Sequence, residues 1–335
     1  MSSDLIDPLE NYREPERTLI FVHGRDFKPS PDALLDLNTS AIAAGIERDF
    51  PGMLDAFYAL DKRLAYYGDL GNAWLRAAGK HYDEKLDIND RKQALQEIRG
   101  LQKRKSFSLG RYERLPGKNA MRELAADFTA PMLGTIGLAE RLIATAGGDV
   151  TEYWNAASDF GTRVRERVRS AILAAFEEGR RIMLVSHGTG SIASYDALWQ
   201  LSNDPEFAGR YGELKIDNWL TLGSPLGDSM VRRRLFGARA KGRERYPANI
   251  LVWHNVSAED DYLCHDGSVS DDYSAMLRLR LVGSIRDYHI YNLAVRYGRS
   301  NPHSSLGYLA HPRVAKLVAD WLRLSGPVSL PSSIL

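Results

Sequence analysis

Short apolar runs alternate with longer helical stretches along most of this chain of 335 residues. Parallel strands need a crossover helix between them, and because both faces of such a sheet are covered, its strands are apolar throughout. The alternation therefore predicts an α/β fold with a mostly parallel central sheet flanked by helices. The predicted strands lie at 18–22, 63–67, 181–185 and within 215–223, 249–256 and 284–293.

Helix signals separate these apolar runs. Ser30 followed by Pro31 is typical of a helix start, because serine caps the first turn and proline fits its first position. Before the third run, apolar residues recur every four positions on one helical face, and Gly179 then ends the helix. The members of that face are Val164, Val168, Ile172 and Phe176. A last helix is predicted over 312–324.

Composition excludes several classes of protein. Hydrophobic residues make up 44% of the chain and charged residues 26%, close to the average for soluble globular proteins. The formal net charge of +1 supplies no field that would attract nucleic acid. The N-terminal segment lacks the basic start and apolar run of a secretory signal, and no later run is as long and apolar as a membrane span. We therefore expect a cytoplasmic protein with no transmembrane segment and no nucleic-acid partner.

Metal and cofactor chemistry finds no support in the sequence. Cys264 is the only cysteine, so neither an internal disulfide nor a cysteine metal cage can form. The histidines lack the paired spacing of a zinc-binding helix. We expect no metal and no cofactor, and we expect Cys264 to be a buried apolar residue rather than a nucleophile.

The segment 70–150 differs in composition from the rest of the chain. It is predicted to be helical, it is rich in charged residues, and it interrupts the alternation of strands and helices. Residues 80–118 hold 11 Lys or Arg against 6 Asp or Glu, which favours a solvated helical face over a patch for lipid or phosphate. Its position between two strands predicts a helical cap inserted into one larger domain of residues 1–335. Peripheral membrane contact through this cap stays open.

Residues with unusual chemistry cluster after the predicted strands, and an open parallel sheet carries its site at the carboxyl ends of its strands. The segments are HGRD, SHGTGS, TLGSPLG, AEDDYLCHD and NPHSSLGYLAHP. Together they resemble the α/β-hydrolase superfamily, specifically its bacterial esterase and lipase-like members, over most of the chain outside 70–150. The resemblance implies an α/β-hydrolase fold and activity on an ester or acyl substrate, without a cofactor.

The segment IMLVSHGTGSIASYDAL, 182–198, predicts a strand, a sharp turn and a helix. In the α/β-hydrolase pattern the nucleophile lies at the apex of this turn, and the residues two positions before and after it are small. Ser186 and Gly190 are the small flanks here, which places Gly188 at the apex. Moving the apex to either neighbouring hydroxyl residue puts a bulky residue on a flank.

The resemblance also implies an acid and a histidine, in the chain order nucleophile, acid, histidine. Asp261 resembles the acid because it follows an apolar strand by a short turn, and Asp260 is the alternative. His303 resembles the base, since it follows the last strand. His187 is expected to pack beside the elbow.

The His23-Gly24 pair resembles the oxyanion segment of the same superfamily. The implied donors for the substrate oxygen are the backbone N–H groups of Arg25 and Thr189. Backbone donors do not depend on the side chain at the apex.

Gly188 cannot form the covalent acyl-enzyme that a serine forms. One hypothesis is a hydrolase in which a water, held in the space of the missing hydroxymethyl group, is activated by His303. The other is an inactive pseudoenzyme that binds an acyl or lipid-like ligand or a partner. Glycine here is compatible with a natural residue and with an engineered replacement of serine, and the sequence assigns neither the substrate nor an oligomeric state.

Overall fold

A computed structural model describes residues 15–117, 148–264 and 267–324. Within these ranges the chain forms a six-stranded, all-parallel sheet flanked by helices, which confirms the predicted α/β fold. The strands are β1 (Arg17–Val22), β2 (Asp61–Ala65), β3 (Arg181–His187), β4 (Ile216–Leu222), β5 (Ile250–Ala258) and β6 (Ser284–Ile290). Their order in the sheet is β2-β1-β3-β4-β5-β6.

The described helices fall mainly between consecutive strands, as a parallel sheet requires. They are α1 (Pro31–Asp49), α2 (Leu54–Ala59), α3 (Gly68–Ala77), α4 (Glu84–Arg99), α5 (Leu109–Tyr112), α6 (Gly148–Tyr153), α7 (Phe160–Glu177), α8 (Gly190–Asn203), α9 (Pro205–Tyr211), α10 (Ser229–Arg232), α11 (Val269–Asp272), α12 (Ser274–Arg278), α13 (Ser305–Leu309) and α14 (Pro312–Arg323). A small antiparallel hairpin of β7 (Val295–Arg296) and β8 (Arg299–Ser300) precedes α13.

Side chains of each strand alternate between the two faces of the sheet, because successive residues of a strand point in opposite directions. Leu19 and Phe21 of β1 join the core that α1 and α14 cover. Ile20 and Val22 join the core that α7 and α8 cover. Both faces are therefore buried, which explains why the strands read as continuous apolar runs.

Two local predictions need correction. The second strand lies at Asp61–Ala65, two residues earlier than predicted, since Tyr67 turns away to donate its backbone N–H to the ring of His23. Ser30 does precede α1, but its hydroxyl makes no capping hydrogen bond; its backbone N–H donates instead to Glu84.

The predicted cap segment, 70–150, lies partly outside the described ranges, since residues 118–147 are not among them. Its described part includes α4, which packs against α1 and α13. Leu95 and Ile98 of α4 belong to the hydrophobic core on the α1 side of the sheet. This portion of the segment therefore contributes to the core of the domain.

The strand order reverses between β1 and β3, because the chain leaves β1 toward β2 on one side and returns to β3 on the other. Helix α1 covers one face of the sheet and α8 the other, so the loops after β1 and β3 diverge and leave a crevice between them. The predicted site residues at 23–25 and 188–189 lie in these two loops. No helix in the described ranges is both long enough and apolar enough to cross a membrane.

Candidate active site

Gly188 forms the apex of a tight turn between β3 and α8. Its φ of +53° lies in the left-handed region, where glycine is favoured, and its N–H donates to the carbonyl of Leu222 at 2.9 Å. A Cβ at Gly190 would lie 2.4 Å from the backbone oxygen of His23, so only glycine allows α8 to begin this close to the end of β1. The strand, turn and helix predicted from the sequence are thus present in the expected register.

Neither serine beside the apex faces the crevice. Ser186 is fully buried, and its hydroxyl accepts from the indole of Trp219 at 3.1 Å and pairs with Ser194 at 2.8 Å. Ser191 is also buried, and its hydroxyl donates to the carbonyl of Gly188 at 2.5 Å. Both hydroxyls are used inside the fold, so the turn presents no serine nucleophile.

His303 and Asp261 form a hydrogen-bonded pair that is directed at the apex. Nδ1 of His303 lies 2.9 Å and 3.1 Å from the two carboxylate oxygens of Asp261. Because a carboxylate only accepts, this contact places a proton on Nδ1, so in the neutral ring the lone pair lies on Nε2. That Nε2 lies 2.9 Å from the position that a Cβ at Gly188 would take. The structure therefore brings Gly188, His303 and Asp261 together.

Two donors besides His303 hold the buried carboxylate of Asp261. Tyr308 donates its hydroxyl at 2.6 Å, and the backbone N–H of Leu263 donates at 3.2 Å. Tyr308 is itself fixed, because its oxygen accepts from the backbone N–H of Ala258 at 2.8 Å. Gly223, at φ +55°, leaves room for this network, since a Cβ there would lie 2.8 Å from Asp261.

Asp260 takes a different direction from its neighbour. It has a φ of +58°, and its carboxylate accepts from the hydroxyl of Tyr112 at 3.0 Å. Of the two alternatives left open by the sequence, Asp261 is the carboxylate that contacts His303.

His187 packs beside the elbow, as predicted. Its ring lies 4.5 Å from the ring of His303 and 5.9 Å from that of Tyr308, centroid to centroid. Its Nε2 lies 2.9 Å from the backbone oxygen of His303 and donates to it. Burial, with His303 nearby, lowers the pKa of His187 well below its usual value, so the ring is neutral and acts as a rigid support.

His23 fixes the loop after β1 and lines both clefts described below. Its Nδ1 lies 2.8 Å from the backbone oxygen of Gly24, and its Nε2 accepts from the backbone N–H of Tyr67 at 3.1 Å. Burial, together with the charge of Lys28, lowers the pKa of His23 from 6.5 to about 3. The ring is therefore neutral at physiological pH, which the two hydrogen bonds require.

Arg25 and Thr189 lie where the two loops meet. Both line the same cleft, and within the described ranges neither backbone N–H donates to a backbone carbonyl. Gly24 is close as well, since its Cα lies 4.0 Å from the Cβ position at Gly188. Neither N–H group is therefore tied to a backbone acceptor in the described part of the chain, as the donors of an oxyanion hole would have to be free.

Two clefts of contrasting chemistry meet at the loop 23–26. The apolar cleft, of about 460 Å³ counted out to solvent, lies on the Thr189 side and is lined by Tyr67, Tyr153, Phe160, Val164, Ile192 and Ala193. The polar cleft, of about 750 Å³ on the same measure, lies on the His303 side and is lined by Lys28, Asn38, Arg91, Arg296, Asn301 and Ser304. Neither cleft was predicted from the sequence.

Cys264 is buried, as predicted, and its sulfur lies 3.6 Å from the hydroxyl of Tyr308. Burial raises the pKa of this thiol above its usual value, so it stays protonated and unreactive. Across the described ranges, no group of three or more His, Cys, Asp or Glu side chains is placed to hold a metal ion.

Comparisons with protein-family models, with curated proteins and with solved structures give no match for this chain. Its function is therefore inferred from the geometry of the site, since a fold alone supports many activities.

Proposed function

We propose that this chain is an esterase or lipase-like member of the α/β-hydrolase superfamily that hydrolyses an ester or acyl substrate with water in place of a serine nucleophile. One observation carries the proposal: His303 directs its Nε2 at the apex Gly188 while its Nδ1 is hydrogen-bonded to Asp261. A cytoplasmic location and a small-molecule ligand belong to the same proposal.

In this mechanism His303 acts first as a general base and then as a general acid. Its Nε2 takes a proton from a water whose oxygen bonds to the carbonyl carbon, and the carbonyl π electrons move onto oxygen. The oxyanion collapses, the carbon–oxygen bond to the alcohol breaks, and the leaving oxygen takes the proton from Nε2. Asp261 stabilises the imidazolium between the two steps. The products are a carboxylic acid and an alcohol.

The position of His303 corrects one element of the sequence-based hypothesis. The space of a hydroxymethyl group at Gly188 is not free, because Nε2 lies only 2.9 Å from the Cβ position. The attacking water must therefore lie farther from Gly188 than a serine side chain would begin. Without a covalent intermediate we expect modest catalysis, about 10³- to 10⁴-fold over water, as remains when a nucleophile is removed from a triad.

Backbone donors complete the proposed chemistry. The N–H groups of Arg25 and Thr189 would donate hydrogen bonds to the oxyanion and so stabilise its developing negative charge. They belong to loops that are fixed by the ring of His23 and by the start of α8, so they need little reorganisation during the reaction.

A second candidate function is ligand binding without turnover. Gly188 favours it, because the residue can form no acyl bond and His303 already occupies most of the space at the apex. This candidate predicts affinity for acyl ligands in a protein that hydrolyses none of them.

The experiment measures turnover and binding separately for the parent, His303→Ala and Gly188→Ala on a panel of p-nitrophenyl and alkyl esters. Hydrolysis is expected in the parent and absent in His303→Ala. Gly188→Ala should also lose activity, because its methyl group would stand 2.9 Å from Nε2 and push the ring of His303 out of position. Binding of acyl ligands with no turnover in the parent would establish the second candidate instead.

A further inference from the structure

The polar cleft contains buried hydrogen-bonding atoms that the described part of the chain does not use. Oδ1 of Asn38 and Oγ of Ser304 have no hydrogen-bond partner within the described ranges, although each residue is only 5% exposed. Buried polar side-chain atoms are ordinarily paired. Both residues line the polar cleft, although the two atoms themselves expose almost no surface, so a ligand there would reach them after a small rotation of each side chain.

The hydroxyl of Ser304 is not used for hydrogen bonding within its own helix. It occupies the N-cap position of α13, where a serine hydroxyl usually accepts from the first turn of the helix. Its side chain makes no such bond. The hydroxyl remains able both to donate and to accept toward the cleft.

Arg25 adds donors at the junction of the two clefts. Its Nε and Nη1 are buried and have no partner within the described ranges. The cleft therefore offers an acceptor at Asn38, donors at Arg25 and a group of both kinds at Ser304. Hydroxyl groups match this set, because each of them donates and accepts.

The other cations of the polar cleft already have partners. Arg91 contacts Asp87 at 2.8 Å, and Arg296 contacts Asp87 at 2.7 Å and also Asp90. Lys28 donates to backbone carbonyls of its own loop, among them that of Asp26 at 3.2 Å. An anion would compete with these carboxylates, and it could not donate to Oδ1 of Asn38. A neutral hydroxylated group avoids both problems.

The proposed mechanism decides which part of the substrate enters this cleft. His303 must return its proton to the leaving oxygen, so the alcohol part extends along the His303 side. The acyl part then lies on the Thr189 side, in the apolar cleft. We infer that the substrate is an ester of a short apolar acid with a polyhydroxylated alcohol, whose hydroxyl groups bind Asn38, Ser304 and Arg25. This inference rests on the proposed function.

Two stable amides with the same acyl group test the polar cleft without requiring turnover. N-(2,3-dihydroxypropyl)butyramide and N-propylbutyramide differ only in two hydroxyl groups. We expect the diol to bind the parent about tenfold more tightly by titration calorimetry, since each of two neutral hydrogen bonds contributes a factor of about 2 to 10. Equal affinities, or no binding of either amide, would overturn the inference.

Three variants locate the preference. Asn38→Leu and Ser304→Ala should each remove most of the preference for the diol. Ser300→Ala is the matched control, because the Ser300 hydroxyl is also buried without a partner in the described ranges but does not line the polar cleft. A loss of preference in Ser300→Ala equal to that in Ser304→Ala would contradict the assignment.

Hydrolysis of glyceryl monobutyrate and propyl butyrate separates this inference from the proposed function. Faster hydrolysis of the glyceryl ester supports both. Equal hydrolysis of the two esters overturns the inference and leaves the proposed function standing. Preferential binding of the diol amide without hydrolysis of either ester supports the binding role of the polar cleft and refutes the proposed function.

Discussion

Gly188→Ser should convert the proposed water-dependent site into one with a covalent nucleophile, and the structure sets the size of the perturbation. A serine that donates to Nε2 at about 2.8 Å has its Cβ about 3.6 Å from that nitrogen. The Cβ position at Gly188 lies 2.9 Å from Nε2 of His303, so the ring must withdraw by about 0.7 Å. It is held by Asp261 at 2.9 Å and lies against His187, which makes this a small but resisted movement.

The expected loss of stability is moderate. A non-glycine residue at the φ of +53° costs about 1 to 2 kcal/mol. Displacement of the ring raises the total to about 2 to 3 kcal/mol, which lowers Tm by no more than about 10 °C in a domain of this size. Gly188→Ala is the control, because it shares the backbone strain and the steric contact but lacks the hydroxyl.

The assay compares hydrolysis of short p-nitrophenyl esters by Gly188→Ser, by Gly188→Ala and by Gly188→Ser combined with His303→Ala. We expect kcat/KM of the serine variant to exceed that of the alanine variant by at least about 100-fold, because attack becomes covalent and intramolecular. A fluorophosphonate probe should label the serine variant and leave the parent unlabelled. A serine variant that is as stable as the alanine variant, yet neither reacts with the probe nor hydrolyses esters, would refute the proposed geometry.

Three further changes have directions fixed by the structure. Asp261→Asn should lower the proposed ester hydrolysis by orders of magnitude while Asp260→Asn leaves it near the parental rate, since only Asp261 contacts the ring of His303. Similar rates in the two variants would contradict the assignment. Burial lowers the pKa of His311 from 6.5 to about 3. As the pH falls below 6.5, the unfolded chain therefore binds a proton at this residue while the folded chain does not, so the folded state loses stability between pH 6.5 and 3. Urea denaturation should therefore show that the free energy of unfolding falls between pH 6.5 and pH 5 by about 2 kcal/mol less in His311→Asn than in the parent. Identical falls in the two proteins would show that the ring is not held neutral. Gly190→Ala should destabilise the fold strongly, because its Cβ would lie 2.4 Å from a backbone oxygen, whereas Gly209→Ala, in open space within a helix, should raise Tm slightly in the same thermal scan; equal shifts would mean that α8 can move away from β1.

The sequence predicts the sheet well because its signal is local. The central strands β1, β3 and β4 are buried on both faces, so apolar runs mark them directly, and the turn at Gly188 has its own small flanking residues. The end of β2 was misplaced because the side chains of Tyr66 and Tyr67 are as apolar as a strand requires. Their backbone is directed instead by a hydrogen bond to His23, which comes from 44 residues earlier.

The site is predicted only where chain order constrains it. Order alone leaves Asp260 and Asp261 equivalent, and the choice between them depends on a left-handed φ at Asp260 that turns its carboxylate toward Tyr112. Tyr308 was missed, although it lies five residues after His303, because its role is visible only when β5 ends beside α13. The polar cleft was missed for the same reason, since Asn38 and Ser304 meet only through tertiary packing.

Stability measurements also help to decide between a hydrolase and a binding protein. Burying a carboxylate costs free energy, so a pair that served only to fix a loop would be an unfavourable choice of residues. The side chain of Asp261 is fully buried, and removing a carboxylate from water costs free energy that its hydrogen bonds must offset. Asp261→Asn combined with His303→Gln keeps two hydrogen-bonding amides in the same place and removes the base. If the pair serves catalysis, the free energy of unfolding should change by no more than about 1 kcal/mol while ester turnover disappears. A loss of about 3 to 5 kcal/mol in urea denaturation would mean that the pair is needed for the fold itself, and its direction toward Gly188 would then carry no argument for hydrolysis.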